Sequence, residues 1–365
     1  MKKHLSIFAV VMASAMCLSG CGSSKKNNDK KLSIVTTIFP EYDWVMNILG
    51  DKKDSADVTM LLDNGVDLHS YQPTADDIVK IKSCDMFIYV GGESDEWVED
   101  VLETAENKDM VVVNLLEELG GMVKEEELIE GMQEEEHDHD HDHEHDEHDE
   151  DEHEDEDHEE HDDHDEEDHD HEEEEHEHEH HHEEGEAEYD EHVWLSLKNA
   201  SILVDKISQK LQSLDSANAE TYEKNGKAYI EKLNALDKQY EAVVAEGSIK
   251  TLLFGDRFPF RYMVDDYGLT YYAAFIGCSA ETEASFETIA FLSEKTDELN
   301  LHTILTIEGS DQKIAKTIVE NTSSKDQKIL VLDSMQSVTS KDVKDGASYF
   351  SVMEKNLEVL KEALK

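Results

Sequence analysis

"SANAETYEKNGKAYIEKLNALDKQYEAVVAE", residues 216–246, places Tyr222, Tyr229, Leu233, Leu236, Tyr240 and Val243 mostly three or four positions apart. That spacing predicts one long helix. At 1.5 Å per residue it would run roughly 46 Å, long enough to cross two lobes. The chain on either side supplies them. Before the helix lie "LSIVTTIF" (32–39), "DVTMLL" (57–62), "MFIYVGG" (86–92) and "MVVVNL" (110–115). After it come "TLLFG" from Thr251, "TYYAAF" from Thr270, "TILTIEG" from Thr303 and "KILVLDS" from Lys328. Nearly continuous apolar runs of this kind suit parallel strands buried on both faces, with crossover helices between them. The expected fold class is α/β: two lobes, each with a four-stranded, mainly parallel sheet, joined by one long rigid helix. The end of the chain, "SYFSVMEKNLEVLKEAL", sets Phe350, Met353, Leu357, Leu360 and Leu364 on one face and reads as a packed terminal helix.

The lobes are expected at 32–215 and 247–365, with the linking helix at 216–246. The first lobe is interrupted at 134–184 by a run made only of Asp, Glu and His. It holds 34 acids and 17 histidines in 51 positions, with no apolar residue to build a core. The run supplies −34 of a formal net charge of −58, leaving 32 basic against 56 acidic residues elsewhere. Such acidity argues against nucleic acid and anionic membrane surfaces, which are bound through basic patches. The two arginines, Arg257 and Arg261, make no basic face. Cations are the natural ligand class.

The N-terminus reads "MKKHLSIFAVVMASAMCLSGCGSSKK", a basic start, a short apolar core and small residues before Cys21. It fits a signal peptide over 1–20 better than a transmembrane helix. "LSGC" resembles a bacterial lipobox, which implies a lipid on Cys21, a flexible tether over 21–31 and a membrane-anchored protein on the extracytoplasmic face. Cys84 and Cys278 then remain; both sit in or beside apolar segments, where a buried free thiol is the expected state, with a single disulfide the alternative.

Outside the run and the signal peptide, the histidines are His69, His192 and His302. His69 lies in the turn-rich "DNGVDLHSYQPTADD" and His192 in "EYDEHVWLSLKNA", both behind acidic residues in loop-like positions where accessible ligands are commonly placed. His302 precedes a buried strand and reads as an ordinary residue.

Several segments in order, "TTIFPEYDWVMNILG", "GVDLHSYQPTADDI", "DEHVWLSLKNA", "YMVDDYGL", "AETEASFETI" and "VLDS", carry a resemblance. Over residues 32–364 the chain resembles the metal-binding lipoproteins that feed zinc- and manganese-type ABC importers, the cluster A-I substrate-binding proteins. The resemblance implies two α/β lobes with a metal ion in the cleft. Residue by residue, His69 matches the first ligand histidine, His192 the second, and Asp333 in "VLDS" the acidic ligand near the C-terminus. The third position departs: counting back from Tyr262 lands on Arg257, which cannot bind metal. The adjacent Asp256 is the expected replacement, with Glu308 and Cys278 as further substitutes. A His-rich insert between the first two histidines is characteristic of zinc-importing members.

Two imidazoles with carboxylates suit Zn2+, with Mn2+ as the alternative metal. In this reading the cleft selects one ion. The run, through residues such as His137, His139, His141, His143, His145, His148, His178, His180, His181 and His182, collects ions at low affinity. The expected partners are the metal, an ABC importer permease and the membrane, with no nucleic acid and a monomeric state. Competing readings are a manganese-delivering binding protein, a surface metal buffer or adhesin, and a metalloenzyme. Against the last, no H-E-x-x-H lies outside the run at 134–184, where His and Glu recur throughout, and no G-x-S-x-G motif is present; the chain is expected not to be an enzyme.

Overall fold

A computed structural model of the chain describes residues 31–133, 188–279 and 283–365. The expected signal peptide, Cys21, most of the tether and the collector histidines lie outside the described residues. Two four-stranded sheets are present, and every strand pair in them is parallel. The first comprises β1 (Leu32–Thr36), β2 (Ala56–Met60), β3 (Met86–Tyr89) and β4 (Val111–Asn114) in the order β2-β1-β3-β4. The second comprises β5 (Thr251–Phe258), β6 (Thr270–Ile276), β7 (Thr303–Thr306) and β8 (Lys328–Val331) in the order β6-β5-β7-β8. The two-lobed α/β architecture expected from the apolar runs is the one found.

The strand bounds shift for local reasons. β1 stops at Thr36 because Pro40 sits in the first turn of helix Phe39–Leu49, the one helical position that tolerates it. Glu41 seals that turn, its Oε2 accepting from the amides of Thr37 and Ile38. β5 outruns "TLLFG" to reach Phe258, and its register against β6 shifts between Phe254 and Arg257.

The long helix is Ala219–Glu246, 28 residues or about 42 Å. It buries Tyr222, Tyr229, Leu233, Leu236 and Tyr240 as the spacing required, with Val244 rather than Val243 completing the face. That face packs on helices Leu197–Leu214, Phe39–Leu49 and Tyr349–Ala363. Two of its hydroxyls are anchored: Tyr229 donates to Asp43 Oδ2 at 3.2 Å, and Tyr240 to the Met353 carbonyl at 2.6 Å. The C-terminal helix is thereby held against the first lobe, where Tyr349 donates through its hydroxyl to the Trp194 carbonyl at 2.7 Å. Phe350 is only partly buried, whereas Met353, Leu357, Leu360 and Leu364 are core.

Cys84 and Cys278 are both free. Among the described residues, no helix is long and apolar enough to cross a membrane. The carboxyl ends of the strands point to one region, as open parallel sheets dictate for ligand groups. His69 follows β2, Arg257 lies near the end of β5, Cys278 follows β6, Glu308 follows β7 and Asp333 follows β8.

Candidate metal centre

His69 sits in a single 3-10 turn, Leu68–Ser70, capped by Asp67, whose Oδ1 accepts from the His69 amide at 3.1 Å. Its Nδ1 lies 2.8 Å from Ser94 Oγ and 3.4 Å from Glu191 Oε2. Burial, reinforced by His192, lowers its pKa to about 3, so the ring is neutral. Nδ1 is hydrogen-bonded to the Ser94 hydroxyl, and a proton on Nδ1 leaves the Nε2 lone pair available to a ligand.

His192 is fully buried just ahead of a 3-10 turn, Val193–Leu195. Asp190 holds it twice: Oδ1 accepts from the His192 amide at 2.8 Å and from Nδ1 at 3.0 Å. Burial, the largest single influence, opposes a charge on this ring, but the carboxylates of Asp190, Glu191 and Asp67 together raise its pKa above the ordinary 6.5. Asp190 is fixed in turn by Tyr262, whose hydroxyl donates to the Asp190 carbonyl at 2.7 Å. The β6 end comes close to the ring because Gly277 has no side chain. A Cβ there would fall 2.9 Å from His192 Cε1 and 3.0 Å from the Phe258 carbonyl.

The two Nε2 atoms lie 3.1 Å apart. Cys278 completes the group: one ligand atom each from His69, His192 and Cys278 fall within 4.8 Å of one another. Cys278 is anchored by Glu126, whose Oε1 accepts from the Cys278 amide at 3.3 Å. Burial first, then the Glu126 carboxylate, push the thiol well above its ordinary pKa of 9.0.

The two acids expected from the sequence lie outside this group. Asp256 points back into its own sheet, Oδ1 accepting from the Arg257 amide at 2.9 Å and Oδ2 from the Ile307 amide at 3.4 Å. Asp333 caps its own loop: Oδ1 accepts from the Met335 amide at 2.8 Å, while its backbone is pinned by Asn356. Burial, then Glu308 nearby, raise the Asp333 pKa to about 6. Glu308 is occupied as well, accepting from the amides of Ser334 at 2.6 Å and Gln336 at 2.9 Å. The supporting acids Asp190, Glu191 and Glu126 were not singled out by sequence reasoning. The acids directly before His192 were the available signal for the first two.

The family model described as ZnuA, zinc-uptake complex component A, periplasmic, matches residues 34–363. This chain belongs to the ZnuA family. It is 33% identical over 348 residues to the zinc-binding lipoprotein AdcA of Streptococcus pneumoniae, covering 95% of this chain and 58% of AdcA. The chain thus spans little more than half the length of that relative. To the high-affinity zinc uptake system protein ZnuA of Bacillus subtilis it is 28% identical over 368 residues, covering 100% of this chain and 98% of the relative. Its fold is similar to the crystal structure of the Zn(II)-bound ZnuA-like domain of S. pneumoniae AdcA. There the TM-score is 0.64 at 29% identity, with 92% of this chain and 99% of that chain covered. The metal-dependent lipoprotein YcdH of B. subtilis gives a TM-score of 0.65 at 26% identity, over 92% of this chain and 99% of YcdH.

On this ZnuA-family frame the grouped donors are two imidazole nitrogens and one sulfur. His192 has its second nitrogen held by the Asp190 carboxylate, and His69 has its own held by the Ser94 hydroxyl with Glu191 beyond, partners of the kind that orient metal-binding histidines. Such a set suits a borderline or soft divalent ion.

Proposed function

We propose that this protein is an extracytoplasmic solute-binding lipoprotein that captures Zn2+ in its interlobe cleft and delivers it to an ABC importer. The observation that carries this reading is the facing pair of Nε2 atoms, 3.1 Å apart, with an acid behind each ring. Two neutral imidazoles so arranged aim two lone pairs at one point, which is repulsive until a cation or proton stands between them. His69 and His192 serve as ligands, and Cys278 takes the third place. Ligation by Asp333 or Asp256 would need each acid to leave its present amide partners.

The supporting comparisons are with zinc-binding and zinc-uptake proteins. In this reading Cys21 carries the lipid anchor, and the run at 134–184 gathers ions and feeds them to the cleft. The run ends eight residues before His192, about 27 Å of extended chain at most, so loosely held ions would be presented at high local concentration.

The test is growth of a strain lacking this gene in chelator-depleted medium. Rescue by zinc and by the intact gene, with no rescue by the His192→Ala variant, is the expected result. Growth equal to the parent in depleted medium would overturn the transport reading. Deleting residues 134–184 should slow uptake only at low metal; equal uptake at all concentrations would remove the collecting role.

A further inference from the structure

Arg257 stands where the family resemblance leads one to look for a ligand, yet it is a permanent cation beside a cation-binding site. Its contacts explain how that is tolerated. Nη2 pairs with Asp67 Oδ2 at 2.7 Å, and Nη1 donates to the Ser279 carbonyl at 3.3 Å. Asp67 lies two residues before His69, and Ser279 directly follows Cys278. One guanidinium therefore ties the first-lobe turn carrying His69 to the second-lobe loop carrying Cys278. Both charged groups are mostly enclosed, with side-chain exposures of 20% and 23%.

Asp67 is a competitor for the ion on the ligating side of His69. Its Oδ1 lies 3.9 Å from His69 Nε2, the nitrogen that faces the other donors. A carboxylate in that position would add an oxygen ligand after a small rotation. Two partners hold it back, the His69 amide on Oδ1 and the guanidinium on Oδ2. The second is charge-assisted and the harder to replace.

We propose that Arg257 is a specificity-determining residue. By keeping Asp67 out of the coordination sphere, it leaves two imidazoles and one thiolate, a set that admits zinc-like ions and rejects oxygen-seeking ones such as Mn2+. This rests on reading His69, His192 and Cys278 as the ligands. Removing the guanidinium would release Asp67, add an oxygen and a negative charge, and harden the site. Lysine lacks the planar fork but still holds a charge against Asp67.

Cobalt(II) is the probe, bound to the full-length mature chain. A thiolate-to-cobalt charge-transfer band reports the cleft rather than the run at 134–184, which contains no sulfur, and its loss in Cys278→Ser separates it from the other free thiol, Cys84. Zn2+ and Mn2+ are then compared for the concentration that abolishes the band. In the native protein Zn2+ should displace cobalt readily and Mn2+ poorly. Arg257→Gln should shift the Mn2+-to-Zn2+ displacement ratio at least ~10-fold towards Mn2+, the scale on which groups supporting a metal site act. Arg257→Lys should keep the native ratio, and adding Asp67→Asn to Arg257→Gln should restore it. An unchanged ratio in Arg257→Gln, whatever happens to overall affinity, overturns the proposal and leaves Arg257 a structural tie. A gain that survives Asp67→Asn overturns the role given to Asp67. Absence of the band in the native protein overturns the ligand reading itself, a separate failure.

Discussion

His69 Nε2 and His192 Nε2, 123 positions apart in the chain, lie 3.1 Å from each other in the fold. Two nitrogens bound tetrahedrally to zinc at about 2.0–2.1 Å stand roughly 3.3 Å apart. The rings are thus held at nearly the spacing an ion requires, and it is the supporting acids that hold them there. In the metal-free protein a proton on one of the two Nε2 atoms makes this contact a hydrogen bond, and the raised pKa of His192 favours that ring as its carrier.

Metal affinity should therefore depend on pH with two different slopes. Below the raised pKa of His192 an entering ion displaces about two protons, one from this ring and one from the Cys278 thiol; above it, only about one, from the thiol. His69, lowered to about 3, adds nothing near neutrality. Affinity thus falls as pH drops and falls faster below a break lying above 6.5. Titrating cobalt(II) across this range through the thiolate band measures both limbs. A single slope of about one proton throughout would place His192 neutral before the ion enters.

Cys278 and Asp333 make opposing claims to the third donor position, and paired variants separate them. Cys278→Ser should abolish the cobalt charge-transfer band and weaken zinc binding by more than the ~10–100-fold typical of losing a supporting group. Asp333→Asn keeps an acceptor for the Met335 amide and should leave the cleft affinity within a few-fold of native. The reverse pattern would return the acid to the site.

How far the sequence foretold this centre follows from the same residues. Apolar runs and a helical stripe made the two lobes and the long helix legible, because buried periodicity survives in sequence. His69 and His192 stand out in the sequence by their loops behind acidic residues and by the family resemblance, and the fold brings their Nε2 atoms together. The third position reads in the sequence as Asp256. The register shift in β5 between Phe254 and Arg257 leaves Asp256 facing the Ile307 amide, and no sequence pattern announces it. Cys278 reads in the sequence as a buried free thiol and only a weaker substitute at the third position, because it follows an apolar strand. What sets it beside His192 is the bare Cα of Gly277 and the carboxylate of Glu126, 152 positions away.

Trp194 offers a direct optical readout. It is fully buried, its ring lies 5.3 Å from that of His192, and its Nε1 donates to the Ser334 carbonyl at 2.9 Å, bridging the lobes. A divalent ion on His192 changes the charge beside the indole, so zinc should shift or quench the emission. Trp194→Phe should remove that response while Trp44 and Trp97 continue to emit. A zinc response persisting in Trp194→Phe would mean that the ion binds elsewhere or that the lobes move about another tryptophan.

A second buried set of acids should govern stability rather than binding. Asp95 and Glu41 are enclosed in the first lobe, and each keeps one buried carboxylate oxygen without a hydrogen-bond partner. Burial, and then Glu191, push Asp95 up to about 7, and burial together with Asp95 holds Glu41 well above its ordinary range. The folded state therefore keeps protons that the unfolded chain releases near pH 4, and stability falls as pH rises, the Asp95 contribution levelling off above about 7. Asp95→Asn still accepts from the Gly91 amide, the bond Asp95 makes at 2.9 Å, but carries no charge. It should raise unfolding free energy above neutrality by on the order of 2–4 kcal/mol and have little effect near pH 4. Denaturant unfolding at both extremes checks this. An equal effect at both would mean that Asp95 titrates alike in the folded and unfolded states, so that its burial shifts nothing.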